Sequence, residues 1–234
     1  MQFFYSNEIA NGEIVLRDQE LQHLSKSLRM KVGDEIWVLD GMGARYWAVL
    51  SELNKKMARA QIKEVEREPL GEARLHLAIS PTKNINRMEW LLEKATEIGL
   101  QQITFIETRR SERSRINMER MSKIAVSAMK QSGNLYLTKV EDICRLSDFL
   151  ALETLPQNRF IAHCQDKLST HLADVLKAGM NSVILIGPEG DFTGEEIAAS
   201  SAQGFQEISL GRMRLRTETA GIFVTSLNAM INRY

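Results

Sequence analysis

The 234-residue chain has only two cysteines, Cys144 and Cys164. Two are too few for a disulfide framework and fit no metal-ligand spacing, so both are expected to be buried free thiols. The histidines His23, His76, His163 and His171 are equally scattered, and no metal site is expected. No stretch approaches the roughly 18 to 20 unbroken apolar residues of a membrane span. The opening MQFFYSNEIANGEIV lacks the basic-then-apolar order of a secretory signal. These absences point to a cytoplasmic protein with no membrane partner. Charge of one sign is missing as well: 30 Lys and Arg face 30 Asp and Glu, which argues against a protein that coats nucleic acid through bulk charge. With 44% hydrophobic and 26% charged residues, the chain can bury one large core or two modest ones.

Local charge is another matter. Thr108 to Lys123, TRRSERSRINMERMSK, carries six cations against Glu112 and Glu119. It is either a solvated helix with its loop or a surface that touches phosphates.

The first 65 or so residues hold short apolar runs (MQFFY, EIVL, DEIWVLD, YWAVLSEL, ARAQIKEV) separated by Gly or Asn turns. Such runs predict a small β-barrel, with one short helix near residues 18–28. EREPLGEA, residues 66–73, breaks the pattern and marks a domain boundary, dividing the chain into 1–70 and 71–234. Beyond it strands and helices alternate. LHLAIS, ITFIE, RFIAHC, SVILIG and EISLG read as strands, and helices are expected over 85–98, 117–131, 171–178, from 194, and over 217–232. Gly99 stands where a helix C′ glycine belongs. This alternation predicts an α/β domain with a mainly parallel sheet flanked by helices, whose ligands lie beyond the carboxyl ends of the strands.

One such end is GPEGDFTGEEI, residues 187–197. A phosphate cradle needs backbone N–H groups and commonly a lysine. Here Pro188 has no N–H, and Glu189 and Asp191 would repel an anion. A neutral or cationic ligand is favoured. Thr193 and Glu196 fit a capping box, which starts a helix at Gly194. The second end is SLGRMRLRTETAGIF, residues 209–223, in which Arg212, Arg214 and Arg216 precede a helix start at Thr217. Two unusual loops on one rim of a parallel sheet predict one shared site.

GPEGDFTGEEI followed by LGRMRLRTETA resembles the signature pair of the SPOUT-type RNA methyltransferases, and within them the RsmE family, which methylates N3 of a uridine in 16S (small-subunit) ribosomal RNA. Lys83, Glu89, EKATEIGL (93–100), the ERSR stretch and AMKQSGN (128–134) extend the match. HLSKSLRMKVGDEIWVLDG (23–41) is similar to the family's PUA-like RNA-binding barrel. The chain departs from the family at Asp191, often glycine there, at Met213, often arginine, and near Thr138, usually proline.

The resemblance implies a knotted SPOUT domain over 71–234, a PUA-like barrel over 1–70, and S-adenosylmethionine as cofactor. It also implies a homodimer acting on 16S rRNA within the small ribosomal subunit. By the same resemblance the cofactor pocket takes His163 with Cys164, Ile186, Gly187, Glu189, Gly190, Leu210, Gly211, Leu215, Thr219 and Ala220. Removing the N3 proton calls for a cation beside the developing charge and a proton acceptor. Arg216 and Glu218 are the candidates, though Glu218 also suits a first-turn carboxylate. Lys26, Arg29, Lys31, Arg109, Arg113 and Arg115 are the candidate RNA contacts. A SPOUT enzyme with another target, and an RNA-binding module without turnover, remain open on the sequence.

Overall fold

The computed structural model describes residues 2–71, 73–165 and 170–233. The chain forms two compact units, one of Met1–Leu70 with Val126–Leu137, the other of Gly71–Ala125 with Thr138–Tyr234.

The first unit is built on six strands, β1 (Phe3–Tyr5), β2 (Ile9–Ala10), β3 (Glu13–Leu16), β4 (Glu35–Leu39), β5 (Ala44–Leu53) and β6 (Ala58–Arg67). Their order is β1-β4-β5-β6-β3-β2, antiparallel except for the parallel β1–β4 pair. Register shifts at Trp47/Ala48 and Leu50/Glu52 interrupt the long β5–β6 ladder, and bulges of this kind bend and twist a sheet. The sheet curls around Phe4, Ile14, Leu16, Ile36, Val38 and Leu50, which alternate inward along their strands. Helix α1 (Asp18–Gln22) runs into a π-helical turn over His23–Ser27, and Leu21 and Leu24 seal this core. A second cluster joins Leu39 to Met129 and Leu135. There Gly43, at φ 100°, lies so close to Tyr136 that an added Cβ would collide with its hydroxyl.

In the second unit six strands lie parallel in the order β12-β10-β11-β7-β8-β9. They are β7 (Leu75–Ile79), β8 (Gln102–Glu107), β9 (Lys139–Arg145), β10 (Asn158–Ala162), β11 (Ser182–Ile186) and β12 (Gln206–Ile208). The central strands β7 and β11 are buried at every position, as expected of a sheet covered on both faces. One face carries α4 (Leu146–Leu150) and α6 (Gly194–Ala202), with Phe149, Leu150, Ile197 and the fully buried Phe192 over Ala78, Ile161 and Leu185. Helices α2 (Ile85–Ile98) and α7 (Thr217–Asn232) pack together. Gly221 permits their close approach, because a Cβ there would stand 2.8 Å from Leu91. Helix α2 ends at Gly99, φ 104°, in the left-handed cap its position predicted. Helix α3 (Met118–Ser132) and the one-turn α5 (Leu172–Val175) complete the set.

Three expectations are corrected. The helix expected over 171–178 is only α5, since His171 caps it and Leu176 is already extended. Strand β9 departs from the expected series, because Lys139–Arg145 shows partial burial typical of a sheet edge rather than an apolar run, and the five-residue α4 follows it directly. The cysteines are not both buried: Cys144 is half-buried and Cys164 exposed, the latter on the loop after β10. No helix among the described residues is long and apolar enough to cross a membrane, and they contain no cluster of His, Cys, Asp and Glu that could hold a metal ion.

Candidate active site

Strands β10, β11 and β12 end side by side in parallel register, so the loops after them meet on one rim. There they enclose a cavity of about 700 Å³, within the size range of small-molecule sites. One wall is Ala162, His163, Cys164 and Gln165; the floor is Ile186, Gly187, Pro188, Glu189 and Asp191; the opposite wall runs from Ser209 to Thr217, with Ala220 below.

Local chemistry explains why the floor holds its shape. The expected capping box is present: Thr193 Oγ1 accepts from Glu196 N, and the Glu196 carboxylate accepts from Thr193 N at 2.8 Å. The loop preceding that helix closes through Asp191 N donating to the Pro188 carbonyl at 2.9 Å. Gly187 is needed for close approach, since a Cβ would meet the Phe192 ring at 3.1 Å and the Phe192 nitrogen at 3.2 Å. The opposite wall is tied to this floor twice. Thr217 Oγ1 donates to the Gly187 carbonyl at 3.1 Å, and Arg214 Nη2 donates to the Glu189 carbonyl at 3.4 Å. Gly211 sits at φ 123°, a conformation that glycine alone adopts easily.

On the first wall, Gln165 N donates to His163 Nδ1 at 3.2 Å, so the other ring nitrogen carries the proton and faces Glu207 Oε2 at 3.0 Å. Cys164 N donates to Asp191 Oδ2 at 2.8 Å. Burial and then the Asp191 carboxylate push the Cys164 thiol pKa up, with Arg214 opposing. Together Glu189 and Asp191 set two carboxylates against Arg212, Arg214 and Arg216 around one cavity.

Of the cofactor candidates, His163, Ile186, Gly187, Glu189, Leu210, Gly211, Leu215 and Ala220 line this cavity, as does Arg216. Gly190 and Thr219 are not in its lining: Gly190 lies under the Arg110 side chain, and Thr219 is exposed on α7. Glu218 is buried on the first turn of α7, and Arg87 Nη1 of α2 stands 3.6 Å from its Oε1. Its other oxygen, Oε2, is buried without a hydrogen-bond partner. Sequence reading missed Arg87, which no periodicity links to a residue 131 positions away.

The basic loop after β8 is knitted to this rim. Arg110 Nη1 donates to the Gly190 carbonyl at 2.6 Å, Arg109 N donates to Glu196 Oε1 at 2.7 Å, and Arg109 pairs with Glu195 at 2.8 Å. Arg113 Nη2 donates to the Lys83 carbonyl at 2.7 Å, and Arg120 pairs with Glu89, holding that carboxyl below its usual range. Arg115 is exposed. In the first unit Lys26, Arg29 and Lys31 are exposed within six residues of one another, Arg29 in the left-handed region at φ 55°.

Comparison with known proteins gives this rim its context. A solved probable rRNA-methyltransferase from Porphyromonas gingivalis is 35% identical, with a TM-score of 0.88 over 98% of this chain and 99% of that one. A ribosomal RNA small subunit methyltransferase E from Neisseria gonorrhoeae, solved bound to S-adenosyl methionine, is 26% identical, with a TM-score of 0.84 over 99% and 98%. The ribosomal RNA small subunit methyltransferase E of Rickettsia conorii is 27% identical over 91% of this chain and 87% of its own. The fold expected from the resemblance, a SPOUT-type parallel domain preceded by a PUA-like sheet, is the one these neighbours share. Residues 16–63 match the model of an RNA methyltransferase PUA domain, and residues 69–229, which hold every loop of the cavity, match that of an RNA methyltransferase domain. With that match spanning more than half of its length, the chain belongs to the RNA methyltransferase family.

Proposed function

We propose that this protein transfers a methyl group from S-adenosylmethionine to N3 of a specific uridine in 16S ribosomal RNA. The observation that carries the reading is the cavity joining the glycine turn to the Ser209–Thr217 loop, with carboxylates and arginines on its rim. Relatives named ribosomal RNA small subunit methyltransferase E, alignable over nearly the whole chain, supply the substrate class.

The residues present fit the cofactor. It carries a sulfonium cation, a flat base and no phosphate, and the cavity offers carboxylates, backbone groups and glycines rather than a lysine-bearing phosphate loop. His163, Ile186, Gly187, Glu189, Leu210, Gly211, Leu215 and Ala220 would hold it; Gly190 and Thr219 are proposed as cofactor contacts by the family resemblance alone. When bound, S-adenosylmethionine supplies an electrophilic methyl group.

The chain's own task is to deprotonate and orient the base. Arg216, on the cavity wall at the start of α7, is placed to stabilise the negative charge that develops on the uracil ring or to hold a flanking phosphate. Glu218, two residues further on and outside the described cavity lining, keeps one buried carboxylate oxygen without a protein partner; it is the residue proposed to orient Arg216 or to take the N3 proton. The uridine must be splayed out of any helix for this. Lys26, Arg29, Lys31, Arg109, Arg113 and Arg115 are the proposed contacts to RNA phosphates.

The domain reading is that 1–70 is the PUA-like RNA-binding part and 71–234 the SPOUT catalytic part. We infer a cytoplasmic homodimer acting on the small ribosomal subunit; the exposed apolar side chains of Trp90 on α2 and Met230 on α7 support a self-association face. Light scattering tests the dimer. The reaction is tested by incubating the protein with methyl-labelled S-adenosylmethionine and small subunits from cells lacking this gene. Label recovered in 3-methyluridine supports the proposal; label in another nucleoside keeps the enzyme class and rejects the atom.

A further inference from the structure

The first wall of the cavity and its floor leave the sheet at the paired residues Ala162 and Ile186, and beyond that last ladder pair Asp191 ties the two loops together. Its backbone is left-handed, φ 61°, a conformation that Asp tolerates better than most side chains. Both of its oxygens are engaged: Oδ1 accepts from Phe192 N and Oδ2 from Cys164 N, each at 2.8 Å. Among the described residues of this wall, the His163 ring between Gln165 N and Glu207 adds a second tie.

Charge adds a second role. A cation entering the cavity meets the guanidinium groups of Arg212, Arg214 and Arg216, and only Glu189 and Asp191 oppose them among its described lining residues. Glu189 already receives Lys83 N at 3.4 Å. Removal of either carboxylate tilts the balance against a cationic ligand and barely affects a neutral one of the same shape.

We propose that Asp191 is a positioning residue for the cofactor: it fastens the His163–Gln165 wall to the floor and supplies the charge that favours a sulfonium cation over the neutral thioether left after methyl transfer. This rests on the cofactor reading above. It gives Asp191, beside Glu189, a share in the discrimination between incoming cofactor and spent product.

Calorimetry with S-adenosylmethionine and with S-adenosylhomocysteine tests it on the wild-type chain, on Asp191→Asn and on Asp191→Gly. Both variants suit the left-handed backbone and should fold. Asp191→Asn is expected to weaken S-adenosylmethionine about fivefold more than S-adenosylhomocysteine. Asp191→Gly is expected to weaken both and to speed reaction of the Cys164 thiol with a thiol reagent, located by mass spectrometry. An unchanged ratio of the two dissociation constants in Asp191→Asn overturns the proposal. A wild-type chain that binds neither ligand overturns the cofactor reading instead, a result seen before any variant is made.

Discussion

Thr217 Oγ1 donates to the Gly187 carbonyl at 3.1 Å, and both groups are buried. That bond joins the first residue of α7 to the glycine turn, and so fixes the helix bearing Glu218 relative to the cavity floor. Thr217→Val keeps the shape and leaves the carbonyl without its partner, a loss of about 1 to 3 kcal/mol. The expected outcome is a lower unfolding temperature together with weaker cofactor binding. Calorimetric affinity equal to wild type would show that the floor keeps its position without this tie.

Glu218 separates two roles by experiment. As the proton acceptor, its replacement in Glu218→Gln should lower turnover by about 10²-fold or more while cofactor affinity stays within about twofold. As a helix-end carboxylate alone, the same change should cost about 0.3 to 1 kcal/mol of stability and leave turnover intact. Single-turnover rates beside thermal melts distinguish these outcomes. Arg87→Ala, which removes the cation 3.6 Å from this buried carboxylate, should destabilise by about 1 to 2 kcal/mol.

The two glycines of the turn should differ in their tolerance of a methyl group. At Gly187 a Cβ meets the Phe192 ring and backbone nitrogen at 3.1 to 3.2 Å, and Phe192 is fully buried and cannot give way. At Gly190 it meets only the Arg110 side chain, at 3.2 Å for Cδ, and that side chain can swing aside. Gly187→Ala is therefore expected to reduce stability and cofactor affinity more than Gly190→Ala. The reverse order in denaturant melts would contradict this account of the floor.

His76 gives the fold a pH dependence. Buried on β7 against the edge of Phe149 and bonded to Thr104 Oγ1 at 2.7 Å, it has its pKa lowered by burial from 6.5 to about 4. Above pH 6.5 it is neutral in both folded and unfolded chains. Below that, the unfolded chain takes up a proton that the folded one refuses until about pH 4, so stability falls across this window by up to about 3 kcal/mol. Urea melts at pH 7.5 and pH 5 should show about 2 kcal/mol of that loss in the wild type, and a smaller one in His76→Gln.

Much of this architecture is legible along the chain because its signals are local. Alternating runs and helical spacing announced the parallel sheet; Thr193 with Glu196, and Gly99 at φ 104°, marked helix ends through contacts spanning a few residues. The two loops of the site were found the same way, since a glycine turn with carboxylates and an arginine trio before a helix are each contiguous. Composition also told that Cys144 and Cys164 stand free, though not that Cys164 lies exposed on the cavity wall.

The sequence by itself determined the elements, their order and the residue types offered at the strand ends. The tertiary structure alone decided which of them meet. Asp191 reaches Cys164 across 27 positions, Arg110 covers Gly190 across 80, and Arg87 faces Glu218 across 131. Each of these depends on strand order and register, which bring distant loops to one rim and leave no periodic trace in the chain. Edge strand β9 stayed hidden for a related reason: at a sheet margin burial is partial, and the hydrophobic pattern that reveals buried strands fades.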